Sequence, residues 1–221
     1  MYIPYEWINE IVRVSKDHQM AIIFGVEPIL NQNNVGNYIM ASLPFLVKDK
    51  YQETVLIYRL KNHYAPFEFK TYKKYGKHPI KCKGSIYHLL IWNNIYIAPY
   101  YCFEIADVKD RSLFKSWCDI ITVSEFNKDT KYFENICESL SRDLYCYCIS
   151  SNTSKYGGTS IIQPSSSEDK YIIRLKGGEN DYIVTHDLDI SDLQDKSLRS
   201  YSADYSDTHF KPQPPGLKKR R

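Results

Sequence analysis

The order of apolar and helical segments in the middle of this 221-residue chain constrains its fold more than any other feature. Apolar runs of strand length, rich in Ile and Tyr, cover residues 95–103, 120–124 and 145–150. Between them, residues at about 109–117 and 130–143 have the apolar spacing that predicts helices. Strand, helix and strand in alternation are typical of α/β domains with parallel strands. The sequence therefore predicts an α/β fold.

Antiparallel strand pairs are predicted on both sides of this segment. Asn93 and Asn94 separate two apolar runs, which is a strong signal for a β-hairpin. Lys48, Asp49 and Lys50 separate two further runs in the same way. The other predicted elements are a helix at 6–18 and strands at 20–26, 37–45, 53–60, 86–92, 158–163, 171–175 and 182–188.

Two stretches lack the periodicity of either element and are predicted to be loops. Residues 31–37 are polar, and residues 61–84 are Lys-rich and interrupted by Pro and Gly. Loops as long as the second one are often functional. From residue 191 onward the apolar residues become sparse. We therefore expect one domain over residues 1–195 and an extended, disordered basic tail over residues 196–221.

The charge of the chain is concentrated in that tail. The formal net charge is +3, and the last four residues, two Lys and two Arg, supply +4, which leaves −1 on the rest. A nucleic-acid-binding domain usually carries its basic patch on the folded body. We therefore expect no direct nucleic-acid binding by the domain, although 20 Tyr residues and the basic tail keep that alternative open.

Cysteine usage and hydropathy indicate the compartment. The chain has six Cys but no Cys-x-x-Cys pair and no His at ligand spacing, so we expect no metal site and no cofactor. There is no signal-like N-terminus and no apolar run near 18 residues, so we expect no membrane association and a cytoplasmic location. Most of the cysteines are expected to be buried small apolar residues.

Cys102 differs from the others because it ends a predicted strand just before a helix. In open α/β folds, reactive groups lie at the carboxyl ends of strands. Lys61 also follows a strand, and a nearby ammonium favours the reactive thiolate and can stabilise an oxyanion. Taken singly, a core thiol and a solvated surface lysine remain the ordinary alternatives.

Several motifs in register resemble the nitrilase, or carbon–nitrogen hydrolase, superfamily over about residues 6–195. Residues 58–68 resemble its Tyr-Arg-Lys-x-His-Leu-x-Pro-Phe-Gly-Glu motif, and the segment from Cys102 to residue 123 resembles its cysteine motif with the following helix and strand. Asn152 matches an Asn after the next strand, and residues 158–164 resemble a Gly-Ser-x-Ile-x-x-Pro hairpin.

The resemblance implies an α-β-β-α sandwich, a Glu-Lys-Cys triad and hydrolysis of an amide or nitrile. Carried over residue by residue, it makes Cys102 the nucleophile and Lys61 the triad lysine. The backbone N–H of Phe103 joins Lys61 in the oxyanion hole. Glu68 matches a second glutamate of the family, although the glycine that precedes this glutamate is missing here. The family commonly associates through one sandwich face, so a homo-oligomer is expected.

The triad glutamate has no match in the chain. Glu27 lies in a Gly-x-Glu pattern that belongs to the strand after the triad glutamate, and Glu6 and Glu10 lie within a predicted helix. In this register the first strand-helix-strand of the fold and the general base lie upstream of Met1. The expectation is therefore a truncated domain.

Residues around Cys102 are similar to those of nitrilase-like C-terminal domains in bacterial reverse-transcriptase proteins associated with phage defence. That resemblance implies an upstream reverse-transcriptase module as a partner. The alternative to a thiol hydrolase is a catalytically silent oligomerisation or scaffold module of a larger protein.

Overall fold

The structure is a computed structural model, and it describes residues 3–48, 50–178, 180–198 and 209–218. By its internal contacts the chain divides into two units, Met1–Tyr87 and His88–Arg221. Each unit has its own sheet structure, so each is described separately.

The first unit consists of one amphipathic helix on an antiparallel sheet, followed by a smaller sheet and a second helix. A 3-10 turn at Tyr5–Trp7 leads into the first helix. In chain order the elements are α1 (Ile8–Asp17), β1 (Ile22–Gly25), β2 (Ile29–Asn31), β3 (Asn34–Gly36), β4 (Tyr38–Val47), β5 (Tyr51–Leu60), α2 (Pro66–Lys74) and β6 (His78–Pro79).

The main sheet of this unit has the order β1-β4-β5, and all its pairs are antiparallel. The apolar face of α1 packs on it, with Ile8, Phe24, Val26 and Met40 buried together. Burial of such side chains stabilises the fold by roughly 1.5–3 kcal/mol each. The predicted strand pair around residues 48–50 is confirmed, and both strands are longer than predicted.

Two of the predicted loops contain regular structure. The polar stretch 31–37 was wrongly predicted as a loop, since β2 and β3 form a small hairpin there and β3 pairs with β6. The long loop at 61–84 was also wrong in its centre, where α2 begins with Pro66 at its first turn. None of the residues of α2 is buried. The helix therefore needs no periodic apolar face, and the sequence lacks the spacing that would have predicted it.

The second unit is built on one six-stranded mixed sheet, in the order β12-β11-β10-β9-β8-β7. Its helices include a 15-residue helix that packs against the sheet. In chain order the elements are β7 (Leu90–Trp92), β8 (Ile95–Tyr101), a 3-10 turn (Cys102–Ala106), α3 (Val108–Arg111), β9 (Ile120–Ser124), α4 (Thr130–Leu144), β10 (Tyr147–Ser151), β11 (Gly157–Ile162), β12 (Tyr171–Lys176) and α5 (Ile190–Leu198).

The centre of this sheet confirms the predicted parallel arrangement. Strands β8, β9 and β10 are parallel neighbours, and Tyr101, Ser124 and Ser151 are paired in register across them. The apolar residues Ile121 and Val123 of β9 are buried. The predicted α/β fold class is therefore correct, and the carboxyl ends of these three strands meet at one edge of the sheet.

Other predictions for this unit need correction. The hairpin at Asn93 and Asn94 is confirmed, and both residues have positive φ as a tight primed turn requires. Its first strand is shorter than predicted, and the helix at 109–117 is reduced to one turn followed by irregular chain. Residues 182–188 form no strand, whereas α5 was not predicted at all.

The basic tail is not uniformly extended, contrary to expectation. Residues 196–198 belong to α5, and Phe210 is buried, with its ring packed edge-on against Tyr145 and Tyr147. The Lys211 N–H donates to the Pro164 carbonyl at 2.9 Å. The Phe210 ring therefore anchors this part of the tail by an apolar contact. The charged and polar residues around it gave no sign of such a contact. The rest of the predicted tail, 199–208 and 219–221, lies outside the described residues.

Candidate active site

Lys61 follows the last residue of β5 and is completely buried. Its N–H donates to the Asn37 carbonyl at 2.8 Å, which extends the β4–β5 pairing by one step beyond Tyr38 and Leu60. The side chain is 1% exposed. A buried ammonium needs a charged or polar partner. The ordinary alternative of a solvated surface lysine is therefore wrong.

The partner of Lys61 is Glu68. The Lys61 Nζ donates to both carboxylate oxygens of Glu68, at 2.8 and 2.7 Å. Glu68 is the third residue of α2, and its carboxylate also accepts the Ala65 N–H at 2.6 Å, as an acidic residue in a first helical turn commonly does. Helix α2 therefore presents Glu68 to the lysine without the glycine that the family motif carries.

Asn37 and two tyrosines form the surroundings of this ion pair. Asn37, itself fully buried, donates from Nδ2 to Glu68 at 2.9 Å and accepts on Oδ1 from the Tyr72 hydroxyl at 3.1 Å. Its backbone N–H donates to the Tyr64 hydroxyl oxygen at 3.2 Å. Burial raises the pKa of Tyr64 well above its usual range and that of Tyr72 to about 12. Both phenols are therefore neutral at physiological pH.

Cys102 is the first residue of the 3-10 turn that follows β8, and it is buried. The turn is held at its start by Glu104, whose carboxylate accepts the Tyr101 N–H at 2.8 Å. The Phe103 N–H lies in the first turn of this helix, where amide hydrogens have no acceptor within the helix. Such an amide is available to a ligand oxygen, which is what an oxyanion hole requires.

The carboxyl edge of the parallel strands carries two further polar residues. Glu125 follows β9 and Asn152 follows β10, each one position beyond the pairing of Ser124 with Ser151. The Glu125 N–H donates to the Ser151 carbonyl at 2.8 Å. Asn152 holds the two loops together, since its Nδ2 donates to the carbonyls of Asn127 and Gly157 at 2.9 and 2.7 Å. Asn152 thus organises the backbone around this edge.

Glu125 is the least compensated of these groups. The residue is buried, at 7% exposure, and burial together with the nearby Glu134 raises the pKa of its carboxyl to about 8. A carboxyl with this pKa is mostly protonated at neutral pH. Glu125 was not among the site residues predicted from the sequence, although its position directly after a buried strand was a usable signal.

The structure thus places the predicted residues in two groups. Lys61 and Glu68 lie in contact in the first unit, and Cys102 and Phe103 are adjacent in the turn of the second. The remaining cysteines are buried, except for the partly exposed Cys82. Within either unit taken alone, the described residues form no group of three His, Cys, Asp or Glu side chains close enough to share a metal ion.

Comparison with solved structures identifies the fold. An amidase from Nesterenkonia sp. aligns with a TM-score of 0.55 and 11% identity, over 77% of this chain and 62% of that one. A CN-hydrolase superfamily protein from Xanthomonas campestris, with an arsenic adduct in its active site, aligns with a TM-score of 0.55 and 12% identity, over 80% and 70%. A mutant of the Nesterenkonia amidase, described as belonging to the nitrilase superfamily, aligns with a TM-score of 0.55 and 10% identity, over 76% of this chain and 62% of that one.

The fold is the nitrilase-superfamily fold. At these identities the likeness shows the fold alone. No family profile matches the sequence, and no curated protein matches it. The chain spans less than two thirds of the length of the Nesterenkonia amidase. Among the described residues of this nitrilase-like chain, no helix is long and apolar enough to cross a membrane.

Proposed function

We propose that the protein is a thiol amidohydrolase that cleaves carbon–nitrogen bonds of an amide or nitrile. The observation that carries the proposal is the completely buried Lys61 ammonium, held by both oxygens of Glu68. A cation fixed in this way, away from bulk water, stabilises developing negative charge far better than a surface lysine does. A Nesterenkonia amidase with this fold carries an acrylamide adduct at its active-site cysteine.

In the proposed reaction the Cys102 sulfur attacks the carbonyl carbon of the amide. The carbonyl oxygen becomes an oxyanion, which the Lys61 ammonium and the Phe103 N–H stabilise. The C–N bond then breaks, and the amine leaves with a proton. Water attacks the resulting thioester, releases the carboxylic acid and restores the thiol. Glu68 keeps the ammonium oriented toward the substrate.

The proposal includes further elements, which rest on the family resemblance except for the cytoplasmic location, which rests on cysteine usage and hydropathy. The general base is a family glutamate that has no match in this sequence, and it exchanges the proton between the thiol and the leaving amine. The domain belongs to a reverse-transcriptase-linked protein of phage defence. The assembled protein is a cytoplasmic homo-oligomer. Without the glutamate we expect a rate lower by roughly 10²–10⁴-fold.

Substitution of Cys102 in the full chain tests the proposal. We expect Cys102→Ala to abolish release of ammonia or amine from a panel of small amides and nitriles, with Cys82→Ala as the matched control thiol. A Cys102→Ala protein that retains the rate of the unsubstituted protein would contradict the proposal.

A scaffold role is the second candidate, because the β4–β5 hairpin exposes apolar side chains. Leu46 is 51% exposed, Tyr51 67% and Val55 44%, and β5 is an edge strand of its sheet. Exposed apolar residues on an edge strand commonly mark an association surface. If Cys102→Ala leaves biological function intact while Val55→Lys abolishes it, the scaffold role is correct and the hydrolase role is not.

A further inference from the structure

Cys102 and Glu125 occupy neighbouring positions at the carboxyl edge of the second unit's sheet. Tyr101 and Ser124 are register partners in the parallel strands β8 and β9, which lie about 4.8 Å apart. Each of the two residues follows its strand by one position. Helix α4 packs against the turn that contains Cys102, and Glu134 on the same helix lies close enough to Glu125 to repel it. Glu125 is therefore a neighbour of the proposed nucleophile.

The Glu125 carboxyl has an incomplete environment. In the part of the chain that the structure describes, no side chain or backbone group forms a hydrogen bond or ion pair with its oxygens. Its two oxygens are not among the fully enclosed side-chain atoms that lack a partner, so water reaches them and a ligand can replace that water. A carboxylate can accept about four hydrogen bonds or pair with one cation. A ligand could therefore supply the hydrogen-bond donors or the positive charge that the described residues do not supply to Glu125.

The charged groups around Glu125 indicate the sign of the charge that a ligand must carry. Glu134 on α4 forms an ion pair with Arg174 on β12, with 2.7 Å between Nη2 and Oε2. Cys137 on α4 and Cys148 on β10 are the other titratable groups beside it, and the hydrogen bond between them, together with burial, raises the pKa of the Cys137 thiol. None of these groups offers Glu125 a free positive charge. An anionic ligand would be repelled by Glu134, whereas a cation would satisfy Glu125.

We propose that Glu125 is a specificity-determining residue that binds a cationic nitrogen group, an ammonium or guanidinium, of the substrate whose amide reacts at Cys102. This inference rests on the proposed function and names its substrate class. On binding, Glu125 releases its proton to water and forms an ion pair with the cation. No other bond changes, and the hydrolysis proceeds as described above.

Two thiol reagents of similar size and opposite charge test this inference. The probes are 2-(trimethylammonio)ethyl and 2-sulfonatoethyl methanethiosulfonate, the first cationic and the second anionic at every pH of the series. In both, the thiolate attacks the reagent's sulfenyl sulfur, a mixed disulfide forms and methanesulfinate leaves. Rates are followed at Cys102 by peptide mass spectrometry in the full chain, and the partly exposed Cys82 serves as the internal reference. At each cysteine we take the ratio of the rate with the cationic reagent to the rate with the anionic one. The thiolate fraction at a given pH affects both rates equally and therefore cancels from this ratio.

We expect the ratio at Cys102, divided by that at Cys82, to increase about tenfold between pH 6.5 and pH 9, as Glu125 ionises. In Glu125→Gln the ratio should stay at its low-pH value. Glu168→Gln, which changes an exposed acidic residue of the same unit, should behave as the unsubstituted protein does. A ratio that is independent of pH and equal in Glu125→Gln and the unsubstituted protein would overturn the inference.

The outcomes separate this inference from the proposed function. If Cys102 reacts readily and only the charge preference is missing, Glu125 is not the cation site but the nucleophile stands. If Cys102 reacts with neither reagent faster than the buried Cys146, the nucleophile assignment fails, and this inference fails with it. Should Glu125→Gln not fold, the pH series on the unsubstituted protein decides alone.

Discussion

Glu68, in the first turn of α2, and Glu125, directly after β9, are both shielded carboxyl groups, yet their surroundings are opposite. Glu68 accepts hydrogen bonds from Lys61, Asn37 and Ala65, so its negative charge is compensated by a cation and two N–H donors. Glu125 is buried with a like charge beside it. The Glu68 carboxylate holds Lys61 in place, whereas the Glu125 carboxyl has no cation beside it among the described residues and can bind one from a ligand. The same side chain thus serves as a structural anchor in one unit and as a candidate recognition group in the other.

The largest effect is expected for Lys61→Met. The substitution leaves the Glu68 carboxylate without its cation, and removal of one partner from a buried pair destabilises by about 3–5 kcal/mol. Urea unfolding at pH 7 measures the change, and Lys70→Met, on the exposed side of α2, is the matched control. A loss below about 1 kcal/mol would show that Glu68 does not depend on this lysine.

Glu125→Gln should shift stability in a pH-dependent manner. The folded-state pKa is about 8 and the ordinary value is 4.5, so between these pH values the folded state holds a proton that the unfolded state has released. Stability therefore falls by up to about 1.4 kcal/mol per pH unit across this window, and the glutamine variant escapes this loss.

Thermal unfolding at several pH values detects the difference. The variant should match the unsubstituted protein at pH 4 and exceed its melting temperature at pH 8.5. Equal melting temperatures at pH 8.5 would mean that Glu125 is compensated after all, and the contrast with Glu68 would disappear.

Glu68→Gln should change stability in the opposite direction at pH 8.5. It keeps the shape but removes the charge that compensates the Lys61 ammonium, and loss of a charge-assisted hydrogen bond destabilises by about 1.5–3 kcal/mol. Denaturant unfolding of this variant beside Glu6→Gln, an exposed residue, measures it. If both glutamine variants at positions 68 and 125 change stability with the same sign, the comparison is wrong.

The smallest effect is expected for Tyr72→Phe. This substitution removes only the hydroxyl that donates to Asn37 Oδ1, which supports Glu68 indirectly. A single neutral hydrogen bond contributes about 0.5–1.5 kcal/mol. Tyr75→Phe, at a side chain that is 69% exposed, is the control and should be neutral in the same unfolding experiment. An effect equal to that of Glu68→Gln would make Tyr72 a principal part of the network.

Local patterns in the sequence predicted the parts of the fold that have strong periodicity. The strands β8, β9 and β10 and the helix α4 were predictable because their apolar residues repeat at strand or helix spacing. Helix α2 was missed because it buries no side chain, and the tail contact at Phe210 was missed because a single aromatic residue among charges carries no periodic signal. The end of a strand marked Cys102 as a candidate.

The partners within the candidate site could be predicted only in part. Lys61 and Glu68 are seven residues apart, and a motif contains both. Asn37 and Tyr72 are separated by 35 residues and meet only because the chain just before β4 and helix α2 are brought together in the fold. The state of Glu125 depends on burial and on Glu134, which the order of residues along the chain does not reveal.

The reactivity of Cys102 tests the central claim, that Lys61 and Cys102 act together in catalysis, most directly. The measurement is the rate of iodoacetamide alkylation at each cysteine as a function of pH, in the unsubstituted protein, Lys61→Met and Lys70→Met. The account predicts that Cys102 reacts fastest, with an apparent pKa below the ordinary value of about 8.5. That pKa should rise by about one unit or more in Lys61→Met alone. A Cys102 that reacts no faster than the other buried thiols, or that titrates identically in all three proteins, would contradict it.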